Sequence, residues 1–337
     1  MGNTVVWNPA SGAVLPAYFI MKILAEAGLP PGVINMIPGS GPVIGPPALD
    51  HVDLGGIHFT GSTKVFSTIW LAVGSDIRKY IAYPRIIGET GGKNFIFAHA
   101  STEVHALVTA LVRGAFEYQG QKCSAASRAY IPDSMWPEIR ERLAAEVSEI
   151  KMGDVTDFQN FMGAVIDRNA FTTISGYIEF ARSSPDMEVL AGGGCDQSTG
   201  YFIEPTVLLS RVPKSKLMVE EIFGPVLTIY VYPEAEYGET LELCDQTSPY
   251  GLTGSIFALD RGAVVKALDS LRHAAGNFYI NDKPTGAVVG QQPFGGSRAS
   301  GTNDKAGSAA NLMRWTSVRT TKETFAPATD YRYPFLG

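Results

Sequence analysis

Hydrophobic and polar positions divide the chain into short apolar runs that alternate with longer amphipathic stretches. Thr4–Trp7 is a β-branched and aromatic run, which predicts a strand. Leu15, Tyr18, Phe19, Met21, Ile23 and Leu24 recur at helical spacing up to Gly28, with Ser11 as the expected cap and Pro30–Pro31 as the stop. Val33–Ile37 predicts a second strand, 42–50 a short helix, Gly56–Thr60 a third strand, and Thr63–Val73 a helix. This order argues for βαβ units and a parallel sheet covered by helices.

The pattern continues through the second half. Val104, Leu107, Val108, Leu111, Val112, Ala115 and Phe116 form one apolar face behind Ser101, the expected cap. A helix opened by Asp133 or Ser134 places Trp136, Ile139, Leu143, Val147 and Ile150 inward. Another follows Asp167, with Phe171, Ile174, Tyr177, Ile178 and Ala181. Such stripes are core rather than cofactor boxes. Gly192-Gly193-Gly194 reads as a turn between Val189-Leu190 and a strand over 201–209. Strands are expected at Val226–Tyr232, 254–258 and 276–281, and helices at 236–247 and 263–275. Residues 283–304 are Gly-rich with no regular period, and a loop of that length is more often functional than filler. Arg314–Thr321 reads as an edge strand able to pair with another subunit.

Composition narrows the partners. The 337 residues are 45% hydrophobic and 18% charged with net charge −6, a globular balance suited to two or three domains. No basic block favours nucleic acid or an anionic membrane, and no run reaches the length of a spanning helix. Three cysteines are too few and too unpatterned for a disulfide framework or a zinc site, so no metal is expected and the compartment reads as reducing. The chain enters at once on a strand, which predicts that it starts within a domain or that an earlier part precedes it; no transit segment is visible.

Three Gly-marked stretches could carry chemistry. Cys123 lies in Gly-Gln-Lys-Cys-Ser (120–124), outside any apolar stripe. Helix N–H groups or Lys122 could lower its pKa and make it a nucleophile; the alternative is a small structural hydrophobe, as for Cys195 and Cys244. Glu89 lies in Gly-Glu-Thr-Gly-Gly-Lys-Asn (88–94), where a partly desolvated carboxylate could act as a base on water, or could be a turn residue. His51, His58, His99, His105 and His273 lie in no motif-like setting, which disfavours a Cys–His hydrolase. Gly61-Ser62-Thr63, between a strand and a helix, is either a phosphate site or a plain helix cap.

Glu-Thr-Gly-Gly-Lys-Asn (89–94), Gly-Gln-Lys-Cys (120–123), Glu-Glu-Ile-Phe-Gly-Pro-Val (220–226) and Pro-Phe-Gly-Gly (293–296) together resemble the aldehyde dehydrogenase superfamily. Residues 116–118, 275–283, 285–292 and 300–304 resemble its glutamate-semialdehyde branch. The resemblance spans essentially the whole chain.

It implies an α/β chain with a partial Rossmann-like NAD-binding domain (1–90), a catalytic thiol domain of the aldehyde dehydrogenase fold (91–305), and a C-terminal return with an oligomerisation strand (306–337). The implied reaction is NAD-dependent oxidation of glutamate γ-semialdehyde to glutamate. Cys123 would attack the aldehyde, and Glu89 would activate the water that hydrolyses the thioester. Gly61, Ser62, Thr63, Lys64 and Val65 match the pyrophosphate segment, and Glu221 with Phe223 falls in the block at the nicotinamide ribose. Asn8 stands where the family has a lysine on the adenosine ribose, which implies weaker cofactor binding. Ser124, Gly286 and Ala287 match the grip on the substrate carboxylate, and Phe294 would pack on its aliphatic part. In the family, the Asn that steadies the oxyanion precedes the strand that opens this chain. The resemblance further implies a homo-oligomer in the mitochondrial matrix, or the cytoplasm in a bacterium. Two other readings are a non-catalytic remnant that keeps a subunit surface, and a cofactor-independent cysteine esterase.

Overall fold

The computed structural model describes residues 2–288 and 290–337; Met1, and Val289 of the expected functional loop, lie outside the described residues. A seven-stranded sheet dominates. Its spatial order is Asn277–Ile280, Thr253–Phe257, Asn94–Ala98, Ala126–Pro132, Val226–Tyr232, Thr206–Ser210, Met187–Ala191. Every neighbouring pair is parallel except the last, where Met187–Ala191 runs antiparallel to Thr206–Ser210.

The two faces of this sheet follow from side-chain alternation along its central strands. Ile96, Ala129, Ile131 and Ile229 meet the helices Val104–Phe116 and Trp136–Ser148 through Leu107, Leu111, Ile139 and Leu143. Phe95, Phe97 and Tyr130 face the opposite side, against Leu241 and Val264 of Tyr237–Thr247 and Arg261–Ser270. A third cluster sits under the helix Arg168–Ser183, where Phe171, Ile174 and Ile178 cover Leu208 and Val226. Central strands buried on both faces explain their continuous apolar sequence.

The first ninety residues are built differently. Val5–Trp7 pairs in parallel with Ile34–Met36, and Gly56–Thr60 pairs in parallel with Arg85–Glu89. Their core is small, centred on Phe66, Val73, Tyr80 and Ile86. Leu15, Phe19 and Ile23 of Val14–Glu26, and Trp70 and Leu71 of Thr63–Ser75, stay exposed.

Several sequence expectations change. A 3-10 turn over Ser11–Ala13 precedes the first α-helix, and Ser11 caps nothing. The cap expected of Ser101 belongs to Glu103, whose carboxylate accepts the His105 and Ala106 N–H groups. Ser101 Oγ instead accepts from the Leu259 and Asp260 amides. Asp133 accepts the Glu234 amide, and the helix that it was expected to open starts behind Met135 with Pro137 in its first turn. Ser101 and Asp133, both with cap chemistry, thus found distant backbone partners. Asp167 does cap its helix, accepting from Ala170 N at 2.8 Å. The strand expected over 201–209 splits into Phe202–Ile203 and Thr206–Ser210, because Pro205 has no N–H for a ladder. Arg314–Thr321 forms no strand: among the described residues no strand pairs with it, its neighbours Asn3 and His58 touching only Trp315, and strand propensity without a ladder partner leaves most of its backbone bonds to water.

Candidate active site

The Arg85–Glu89 strand, the Gly91–Gly92 connection and the turn before Ala126–Pro132 converge at the edge where the two parallel assemblies meet. Glu89 ends its strand half-buried. Cys123 Sγ lies 3.8 Å from Glu89 Oε1. Thirty-four positions of sequence separation are thus closed into one thiol–carboxylate pair.

The electrostatics of this pair differ from the sequence expectation. The Cys123 thiol is pushed up to about 12, by burial first and then by the negative charges of Glu89 and Glu221; a hydrogen bond from the Ser124 amide opposes them. Lys122 does not lower it, because its ammonium is engaged with Glu117 Oε2 at 3.1 Å. Burial raises Glu89 above the usual carboxylate range, against the hydrogen bond from Cys123. The proton rests on sulfur, and a base beside it is positioned to accept it. Three of the histidines are engaged elsewhere: His99 bonds Ser101, His58 stacks on Trp315, and His51 faces Asp53.

Glycine sets the close approaches. A Cβ on Gly91 would fall 2.3 Å from Glu221 Oε2, and one on Gly92 would fall 2.5 Å from the Cys123 carbonyl oxygen. The Gly92 N–H donates to Glu221 Oε1 at 2.7 Å, so Glu221 is bound to the segment that carries Glu89. Burial raises Glu221 as well, opposed by that Gly92 bond and by Lys93. Phe223, two residues on, holds φ 58°, an unusual backbone for a non-glycine residue, and is partly exposed.

Three residues that sequence reasoning did not assign hold the turn from behind. Asn94 is 2% exposed; its Nδ2 donates to the carbonyls of Cys123 (2.7 Å) and Ala125 (2.9 Å), and its Oδ1 accepts from Thr253 N (3.0 Å). Lys93, equally buried, donates to Ser127 Oγ at 2.8 Å. Arg128 Nε donates to the Lys93 carbonyl at 2.8 Å. The available signal was polar residues placed inside strand-forming apolar runs, where burial demands partners.

At the expected phosphate turn, Ser62 caps Thr63–Ser75 by accepting from Val65 N at 3.3 Å, so the plain capping reading holds. Gly61 is required by packing, since a Cβ there would fall 2.5 Å from the Phe59 ring. The N–H groups of Thr63 and Lys64 make no hydrogen bond among the described residues, and Lys64 and Val65 are exposed. That open helix end suits the phosphate oxygens of a dinucleotide. A strap over Ala299–Thr302 ties this end to the base: the Ala299 carbonyl accepts from Thr63 Oγ1 (3.0 Å) and Thr90 Oγ1 (2.6 Å), and Gly301 bridges to Glu89. Asn8 lies at the far end, with Nδ2 donating to the Ile37 (2.9 Å) and Gly39 (3.1 Å) carbonyls. Its donors are spent inside the chain, leaving only Oδ1 to face a ligand.

On the other side of Cys123, Ser124 Oγ lies 2.7 Å from Thr285 Oγ1 in a buried contact. Gly286 holds φ +87°, and neither its N–H nor that of Ala287 is hydrogen-bonded among the described residues. Phe294 is held by reciprocal backbone bonds with Ala306 at 2.9 and 2.7 Å and keeps its ring partly exposed.

Comparison with known proteins follows this geometry. The aldehyde dehydrogenase family model matches residues 1–321. The mitochondrial delta-1-pyrroline-5-carboxylate dehydrogenase of Dictyostelium discoideum is 57% identical over 338 positions, covering 100% of this chain and 61% of that protein. The human protein of the same name is 51% identical, with 100% and 60% covered. The crystal structure of the Mycobacterium tuberculosis delta-pyrroline-5-carboxylate dehydrogenase bound with NAD superposes with TM-score 0.94 at 53% identity, covering 100% of this chain and 62% of that one. The chain therefore spans about three fifths of the length of these relatives. With the family model matched along nearly its whole length and the fold shared at this level, the chain belongs to the aldehyde dehydrogenase family.

Proposed function

We propose that this chain carries the thiol, the base and the cofactor turn of an NAD+-dependent dehydrogenase that oxidises L-glutamate γ-semialdehyde, the open form of Δ1-pyrroline-5-carboxylate, to L-glutamate. The observation that carries the reading is the 3.8 Å approach of Cys123 Sγ to Glu89 Oε1. The names of the relatives and the NAD in the M. tuberculosis neighbour support the substrate and the cofactor.

Glu89 takes the Cys123 proton, and sulfur bonds to the aldehyde carbon, giving a thiohemiacetal. Bound NAD+ would supply the two-electron acceptor for the hydride that leaves this carbon. Glu89, its proton passed to solvent, then takes a proton from the water that attacks the thioester, and the C–S bond breaks to release the carboxylate and the thiol. The N–H groups of Thr63 and Lys64, unbonded among the described residues, would receive the pyrophosphate beside Gly61, Ser62 and Val65, and Glu221 with Phe223 would hold the nicotinamide ribose. Asn8 contributes at most an acceptor. The free N–H groups of Gly286 and Ala287, with Ser124, take the substrate carboxylate, and Phe294 covers the carbons between.

In this reading residues 1–90 are the later part of the dinucleotide domain, 91–305 the thiol domain and 306–337 a return segment that joins subunits. The relatives named as mitochondrial support a matrix location. The test is NADH formation at 340 nm from glutamate γ-semialdehyde by the folded chain. Cys123→Ser is expected to abolish it, and Glu89→Gln to slow both the acylation of the thiol, whose proton it accepts, and the hydrolysis of the thioester. NADH formation that survives Cys123→Ser, or none at all from folded protein with NAD+ bound, would sink the proposal.

A further inference from the structure

The turn that presents Cys123 is held in an uncommon conformation. Tyr118, Gln119 and Gly120 take φ of 56°, 59° and 62°, three left-handed residues in succession, two of them not glycine. Such a turn persists only where its surroundings over-determine it. Its rear is tied by side chains: Gln119 Oε1 accepts from Gly163 N (3.1 Å), and Gln121 Oε1 accepts from Ile166 N (2.9 Å). Its front is closed by charge. Lys122 Nζ reaches back across the turn to Glu117 Oε2 at 3.1 Å and lies 5.4 Å from the Tyr118 ring centroid.

The same carboxylate oxygen receives a second cation. Lys283 Nζ lies 3.0 Å from Glu117 Oε2. Lys283 opens the loop that carries Thr285, Gly286 and Ala287, and a Cβ on Gly286 would lie 3.1 Å from its ammonium. Cys123 is thus flanked by two links between the same pair of loops: Glu117 with Lys122 and Lys283 on one side, and Ser124 with Thr285 on the other. All three charged side chains are about three-quarters buried, which keeps solvent screening of the cluster low.

We propose that Glu117 is a positioning residue: by holding Lys122 and Lys283 on one oxygen, it fixes the loop 283–287 against the turn of Cys123 and so sets selection for aldehydes that carry a carboxylate. The inference rests on the function proposed above. Without the Glu117 charge, two ammonium groups face each other with no counter-ion, and their repulsion separates the loops.

The test compares wild type, Glu117→Gln, Lys283→Met and Lys283→Arg in the full chain. For Glu117→Gln and Lys283→Met the KM for glutamate γ-semialdehyde is expected to rise about tenfold, a change of about 1.4 kcal/mol. The KM for pentanal, which has no carboxylate, stays unchanged, and Lys283→Arg remains near wild type because it keeps the ion pair. Equal changes for both aldehydes, no change, or a fall in the semialdehyde KM overturns the proposal; a fall would mean that the lysines act as free charges. Hydrogen exchange at Gln121 and Ala125, whose N–H groups donate to the Tyr118 and Lys122 carbonyls at 3.0 Å within the Cys123 turn, needs no turnover. It is expected to speed up about tenfold in Glu117→Gln and Lys283→Met and not in Lys283→Arg, again the equivalent of about 1.4 kcal/mol. A wild-type chain that forms no NADH yet shows this exchange pattern loses the function reading and keeps the link, whereas unchanged exchange removes the link itself.

Discussion

Truncating Asn94 to alanine isolates the support of the turn that carries Cys123. The side chain is 2% exposed and serves three backbone groups: the carbonyls of Cys123 and Ala125 and the N–H of Thr253. Alanine leaves all three without their partner. An ordinary hydrogen bond contributes about 1 kcal/mol net, and a buried group left unmatched costs about 1–3 kcal/mol. Three such groups therefore give a loss of about 3–9 kcal/mol, the lower end applying if water enters the space left by the amide. Urea unfolding measures this as a lower midpoint at unchanged m-value. Asn94→Asp sharpens the argument, because the shape is kept while both donors are replaced by acceptors that face two carbonyl oxygens. It is expected to cost at least as much at neutral pH and to recover partly in acid, as the carboxyl regains a proton to donate. A loss below about 1 kcal/mol for Asn94→Ala would refute the claim that this one amide organises the turn.

Two further outcomes concern protons. The buried Lys93 ammonium is depressed to about 7 from 10.5, by burial first and by the neighbouring Arg128 charge second. Between those values the unfolded chain binds more protons than the folded one, so stability rises as pH goes from about 7 to 10.5. Lys93→Met is expected to flatten that rise in urea midpoints, and an unaltered slope would contradict the burial argument. Cys123 alkylation by iodoacetamide, followed peptide by peptide with exposed Cys195 as internal reference, should keep accelerating with pH towards about 12 rather than level off near 9. Glu89→Gln removes a nearby negative charge and moves the profile to lower pH. A wild-type plateau at or below 9 would show that the thiol is activated in the resting chain.

Much of the scaffold was legible because burial imposes periodicity. The stripe Leu107, Leu111, Phe116 and the run Val226–Tyr232 could satisfy their apolar side chains only as a covered helix and a central strand. Caps were less legible. Ser11, Ser101 and Asp133 have the right chemistry, yet Ser101 and Asp133 serve backbone amides more than a hundred residues away. Local spacing carries no information about such competitors.

At the site, residue types along the chain narrowed the candidates to a thiol outside any core stripe, a carboxylate among glycines and a strand-to-helix junction, each with a structural alternative. Their state follows from the fold. It brought Cys123 and Glu89 within 3.8 Å and buried them together, which raises the thiol pKa instead of lowering it. It also turned Lys122 away from the sulfur and onto Glu117, and spent the donors of Asn8 on the Ile37 and Gly39 carbonyls. Desolvation and the choice among partners depend on distances in space, and a sequence fixes distances only along the chain.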